Sequence, residues 1–214
     1  MAELEARWWE AARQNQVLPI DDRVYTNRVD RRAMSEKKRQ VLRRGTETLP
    51  MFGAPMTLGR DFSIEVTLRR NETDEEGVLV AHGDLASGYT LFIQDNRLHY
   101  ELNRAGDRFR VTSPELPKGE IEVAFVFDQT APLWSLAKSV LRSGRVDLMA
   151  ALAGTGHLEV DGERVASAKL PAGGALPTWE GLDVGRDMRL PVTPDYEAPF
   201  TFEGEFDEVV FDLG

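Results

Sequence analysis

The sequence predicts a mainly β chain folded as an antiparallel sandwich or barrel. Short runs alternating apolar and polar residues recur at near-regular spacing, and Gly, Pro, Asn and Asp punctuate them. The strand–helix–strand alternation of a parallel sheet is missing. With 214 residues the chain has room for one good-sized domain plus an appendage. A chain of that length buries about 70% of the surface its unfolded form exposes, so no staple is needed.

Residues 3 to about 16 read as a helix, because Leu4, Trp8, Ala11 or Ala12 and Asn15 follow helical spacing and Trp9 widens the apolar face. Pro19 stops it, and Asp21-Asp22 open a polar connection. Residues 20–44 lack sustained strand alternation and read as an extended or partly helical linker. The expected organisation is therefore an N-terminal helix and basic linker over 1–44, followed by the sandwich over 45–214.

The strands announce themselves after Gly45. Phe62, Ile64, Val66 and Leu68 alternate with Ser63, Glu65, Thr67 and Arg69, a half-buried strand. Residues 77–82 form a second strand after the polar turn 71–76. Residues 89–94 and 97–102 flank Asp95-Asn96 as a hairpin. Residues 108–112 and 121–127 continue the alternation, with Pro114, Pro117 and Gly119 between them. Residues 131–153 interrupt it. There Leu133, Trp134, Leu136, Val140, Leu141, Val146, Leu148, Met149 and Leu152 predict one helix, or two short ones around Ser143-Gly144. Strands resume as a hairpin of 157–160 and 163–166 about Asp161-Gly162, a dipeptide suited to a type I′ turn. The last strand runs from Glu205 to Leu213.

The formal charge of −10 is uneven. Between Arg28 and Arg44 eight basic residues face two acidic ones, which leaves −16 on the remainder. An acidic body repels phosphate, so a nucleic-acid partner is not expected. The basic run reads as a solvated linker lying along that body. No stretch approaches the roughly 20 apolar residues of a membrane-spanning helix, so no membrane partner is expected either. The start is acidic and amphipathic, unlike a signal peptide, and predicts a cytoplasmic location.

Candidate chemistry is sparse. The absence of cysteine removes disulfides, thiolate metal sites and cysteine nucleophiles. His82, His99 and His157 each fall alone in a predicted strand, the setting of a hydrogen-bonded histidine more than of a catalytic one. No metalloprotease, nucleophile-elbow, phosphate-cradling or dinucleotide motif occurs. Acidic pairs such as Glu203 and Glu205, or Asp207 and Glu208, sit where a solvated surface accounts for them. In Gly181–Asp187, Asp183 and Asp187 are hard oxygen ligands between glycines, the composition of a calcium or anion loop with Arg186 beside them. Two carboxylates are too few for calcium, and the spacing favours a structural turn. No cofactor is expected. Among the aromatics, Trp179 lies in a loop and is the best candidate for stacking on a sugar. Trp8, Trp9, Trp134 and Leu136 are candidates for an interaction surface.

Three separated stretches carry a family resemblance. LEARWWEAARQNQVLPIDDR resembles the segment that closes the catalytic part of bacterial arylsulfatases and introduces their last domain. EGVLVAHGDLASGYTLFIQDNRLHYELN is similar to that domain's GVLxAxGxxxGGYxLYVxDGKLxYxYN pattern. GLDVGRDMRLPVTPDYEAPFTFEGEFDEVVFDL resembles its closing motif, GLDVGxD, PVxxDY and PFxFxGxIxxVxxDL. The resemblance implies a concanavalin/laminin-G-like antiparallel jelly roll, the accessory domain of a sulfuric ester hydrolase. Those enzymes use a formylglycine and a calcium in a large α/β domain, and neither the formylglycine motif nor the metal ligands has a counterpart here. The family has a short hairpin where this chain inserts 131–153. The expected function is a non-catalytic accessory, binding or interaction domain. The alternatives are a carbohydrate-binding module, or the docking half of a split sulfatase. The expected partners are correspondingly a glycan, a sulfatase catalytic chain, or a second copy of this chain through the helix and the insertion.

Overall fold

A computed structural model describes residues 2–14, 38–51, 53–130, 152–174 and 178–214. The predicted linker up to residue 37 and nearly all of the insertion, including Trp134 and Leu136, lie outside the described residues. The chain divides into two compact units, Met1–Ala33 and Met34–Gly214.

In the first unit, helix α1 spans Ala2–Gln14. Glu3 and Glu5 in its first turn and Arg13 in its last complement the helix dipole. Glu10 accepts from both Arg13 (3.3 Å) and Gln14 (2.8 Å). Leu4, Trp8 and Trp9 are all exposed, and the two indoles meet edge to face at 4.8 Å.

The second unit is the antiparallel β-sandwich that the alternation predicts. Its strands are β1 (Arg39–Arg43), β2 (Phe62–Arg70), β3 (Gly77–Gly83), β4 (Ser87–Gln94), β5 (Arg97–Arg104), β6 (Asp107–Glu115), β7 (Gly119–Gln129), β8 (Gly154–Val160), β9 (Glu163–Leu170), β10 (Leu182–Val184) and β11 (Glu205–Leu213). Six form one sheet in the order β1-β11-β2-β7-β8-β9, and five form the other in the order β10-β3-β4-β5-β6. Side chains alternate faces along a strand, so Phe62, Ile64, Val66 and Leu68 point into the core while Ser63, Glu65, Thr67 and Arg69 point out. Ile121, Val123, Phe125 and Phe127 from β7 and Tyr89, Leu91, Ile93, Leu98, Tyr100 and Leu102 from the opposite sheet complete the core. Tyr100 and Phe125 stack face to face between the sheets with ring centroids 3.4 Å apart.

The domain boundary predicted at 44/45 falls too late. Arg39–Arg43, assigned to the linker, is an edge strand paired with β11 from Arg39↔Asp212 to Arg43↔Glu208. It escaped the alternation test because Val41 and Leu42 are adjacent apolar residues, one on each face of a lightly buried strand. Pro114 also lies inside a strand, β6, the edge of its sheet, where a missing N–H costs little.

Candidate functional site

The two outer faces of the sandwich differ. On the five-stranded sheet, Thr90, Phe92, His99, Glu101, Asn103 and Arg110 point away from the core, yet the first five are buried. The loop after β10 covers them. Val192, Tyr196 and Phe200 pack with Val78, Ala81 and Phe92 as a second apolar cluster. Polar bonds pin the loop down. Tyr196 Oη donates to Asp187 (2.7 Å) and contacts Thr90 Oγ1 (3.1 Å), and Asp187 also accepts from the Val192 amide at 3.2 Å. Asn103 Nδ2 lies at hydrogen-bond distance from the carbonyls of Asp84 (3.3 Å), Leu85 (2.8 Å) and Val192 (3.0 Å). Arg110 bridges Glu101 and Asp195 and stacks over Phe92. Burial alone would lower the Arg110 pKa, but the Asp195 and Glu101 carboxylates outweigh it and raise it. Asn103→Ala should leave the three carbonyls short of a donor and cost about 2 kcal/mol. A urea midpoint shift checks this, with faster proteolysis within 184–200 showing which element loosens.

On the six-stranded sheet the outer face is buried at Ala124 and His157 on β7 and β8 and open further toward β1. There a shallow groove of about 920 Å³ runs over β1, β11, β2 and β7. Cross-strand register builds its floor: Val210↔Glu65 in one row, Thr67↔Glu122 in the next, and Glu205↔Arg69↔Glu120 in a third. A break in register between Phe206 and Val209 widens the β11 side. The β1 side carries Arg39 and Arg43, and Arg44 follows them. The Arg44 guanidinium is already used, bonded to the Gly204 (2.5 Å) and Phe202 (2.7 Å) carbonyls and lying over the Phe206 ring. Arg69 is paired with Glu120 at 3.2 Å. Among the described residues, neither Arg39 nor Arg43 has a carboxylate within 4.0 Å. The groove thus mixes both charges, with Arg39, Arg43, Arg44 and Arg69 set among six carboxylates, Glu65, Glu120 and Glu122 on β2 and β7 and Glu205, Asp207 and Glu208 on β11.

The residues singled out in the sequence lie elsewhere. Asp183 and Asp187 are buried and bonded within the fold: Asp183 accepts from Thr48 Oγ1 (2.6 Å) and the Met188 amide (3.1 Å). Among the described residues no three His, Asp or Glu side chains gather to hold a metal ion. Arg186 is half-buried, with its Nε unpartnered. Trp179 stands 95% exposed at the loop leading into β10, outside the groove. His99 bonds Thr112 Oγ1 (3.0 Å) and the Gln94 carbonyl (3.1 Å), and His157 Nε2 bonds Asp128 at 2.9 Å. Among the described residues His82 finds no partner for either ring nitrogen. The groove itself was not singled out from the sequence. Its residues read there as the solvated side of well-patterned strands, and only pairing brings Arg43, Glu65 and Glu122 to one surface.

No family model and no curated protein matches the sequence. Solved structures share the fold at low identity. Domains LG4-5 of the mouse laminin α1 chain match 85% of this chain and 40% of their own, at 15% identity and a TM-score of 0.43. The leech intramolecular trans-sialidase, complexed with 2,7-anhydro-Neu5Ac after soaking with 3′-sialyllactose, matches 82% of this chain and 25% of its own, at 11% identity and a TM-score of 0.50. The carbohydrate-binding module CBM40 of the Ruminococcus gnavus IT-sialidase matches 81% of this chain and 90% of its own, at 12% identity and a TM-score of 0.46. This chain spans less than half of the laminin and trans-sialidase chains. At such identities the likeness is one of fold.

Proposed function

We propose that the sandwich is a carbohydrate-binding module and that the saccharide lies in the groove on the six-stranded sheet. The inequality of the two outer faces carries this reading. One is sealed by the loop after β10, and the other offers about 920 Å³ lined by guanidinium donors and carboxylate acceptors. Sugar hydroxyls both donate and accept. Carboxylates at Glu65 and Glu122 take their protons, and guanidiniums donate to their oxygens. The fold shared with part of the leech trans-sialidase, a protein solved with a sialic acid derivative, agrees with a saccharide ligand.

A glycan array followed by titration calorimetry tests the reading. The parent protein should retain a restricted set of glycans. The double substitution Glu65→Gln and Glu122→Gln should weaken them about tenfold, from two lost charge-assisted bonds. An empty array, or variants that bind like the parent, would overturn it.

A second reading follows the arylsulfatase resemblance. There the module accompanies a sulfate-ester hydrolase, and helix α1, with Trp8 and Trp9 exposed, is the element that docks a catalytic chain. Failure of the two polypeptides to co-purify would remove it.

A further inference from the structure

We infer that the end of the sandwich beside the β3–β4 turn is a second saccharide site, with a sugar ring stacked on Trp179 and its hydroxyls bonded to His82 and Ser87. This goes beyond the groove, since it uses other residues in another part of the fold.

Strand pairing brings these parts together. Leu182 of β10 lies opposite His82 of β3, and His82 lies opposite Tyr89 of β4. One residue further along β3, the Gly83 amide donates to the Gly181 carbonyl at 3.3 Å, and Gly83 faces Gly88. Trp179, two residues before Gly181, and Leu85, two residues after Gly83, therefore leave neighbouring strands at one end of the sheet, where strands stand about 5 Å apart. Hydrogen bonds hold both tips out. Thr178 Oγ1 donates to the Glu180 carbonyl across Trp179. Asp84 Oδ1 accepts from the Ala86 (2.7 Å) and Ser87 (3.3 Å) amides around Leu85, and Asn103 Nδ2 reaches the Leu85 and Val192 carbonyls together. An exposed indole on a tightened turn is a platform for the apolar face of a sugar.

The polar groups next to that platform lack partners. Directly opposite residues share a face, so His82 and Tyr89 both point to the core side, and Ser87, two residues before Tyr89, points the same way. His82 is only 6% exposed, yet among the described residues neither ring nitrogen meets a partner, and neither does the buried Ser87 Oγ. Tyr89 Oη in the same patch is approached by Thr57 without closing a hydrogen bond. Buried donors and acceptors left unpaired cost a fold free energy, and a ligand that pairs them recovers it. Burial keeps the imidazole neutral at pH 7, so it offers one donor and one acceptor. The serine hydroxyl offers both as well, and sugar hydroxyls answer each of them. A lipid chain on the same indole would leave all of them unpaired.

The test uses the full chain, with cellotriose, maltotriose and N-acetylchitotriose as probes and phosphatidylcholine vesicles as the apolar rival. At least one trisaccharide should shift the indole emission saturably. Trp179→Ala should remove that shift and weaken calorimetric binding about tenfold. His82→Phe keeps a ring and loses the nitrogens, so it should weaken binding about fivefold while the melting midpoint stays at or above the parent's. An emission shift that survives Trp179→Ala, silence with every trisaccharide, or indole-dependent binding to the vesicles instead overturns the inference. Glycans from the array that are lost with Glu65→Gln and Glu122→Gln but untouched by Trp179→Ala overturn it too, and leave the groove standing. The reverse pattern removes the groove and supports this site.

Discussion

Replacing Arg70 with alanine is expected to cost about 3 to 5 kcal/mol, the largest effect of any single substitution considered for this chain. Arg70 is fully buried at the end of β2, on the core side of the six-stranded sheet. Its Nη1 donates to Asn96 Oδ1 at 2.9 Å, in the β4–β5 turn of the other sheet, and its Nη2 donates to the Thr73 carbonyl at 2.8 Å. One side chain therefore joins both sheets and the β2–β3 turn. Burial lowers its pKa, and Glu75, Glu76 and Asp74 in that turn act against the shift. Alanine leaves a void and two acceptors without their donor. Methionine at the same position restores volume without hydrogen bonds, so the difference between the two variants isolates the polar part. Urea unfolding measures both. A loss below about 1 kcal/mol for alanine would mean that the turns hold without the guanidinium.

The second large effect is a pair of opposed acid responses. His82 is buried edge-on to Tyr89 with no hydrogen-bond partner among the described residues, and burial lowers its pKa from 6.5 to about 4. Between those values the unfolded chain binds the proton and the folded chain does not, so acid destabilises the fold by up to about 3 kcal/mol. Asp187 behaves in the other sense. Burial raises its pKa from 3.8 to about 6, against the bonds from Tyr196 and Val192. In that window the folded chain binds the extra proton, so acid stabilises it by a similar amount, about 3 kcal/mol. In the parent the two contributions nearly cancel from pH 6.5 to 4. Asp187→Asn should expose the histidine and make the protein acid-labile, whereas His82→Leu should make it firmer on acidification. Urea midpoints at pH 7, 5 and 4 decide this, read as differences in slope, because the other carboxylates contribute alike to all three proteins. Parallel slopes would show that neither group titrates as its burial requires.

Much of the fold is legible in the residues because one face of each strand is buried, which forces period-two alternation in Phe62–Leu68 and Ile121–Phe127. The hairpin turns are legible too. Asp95-Asn96 and Asp161-Gly162 both adopt positive φ at their two central positions, which the type I′ geometry demands. Strand β1 was not legible, since an edge strand with both faces lightly buried needs no alternation. Nor was the groove. Glu65 and Glu122 lie 57 positions apart and meet only through the β2–β7 register, and a solvated charge and a binding charge look alike along the chain. Asp183 and Asp187 drew notice as oxygen ligands because two carboxylates near two glycines fit either a cation loop or a bonded turn. What separates the two is the donors that reach them, Thr48 from another part of the chain and Tyr196 from the covering loop.

Strand β1 also bears on how copies of this molecule treat one another. An unpaired sheet edge invites the same edge of a second copy. Antiparallel self-pairing centred on Val41 would set Arg39 of each copy opposite Arg43 of the other, two like-charged contacts in one short ladder. The positive charge of this strand thus discourages fibre growth along the edge, and neutralising both arginines should lower the concentration at which the protein aggregates on mild heating.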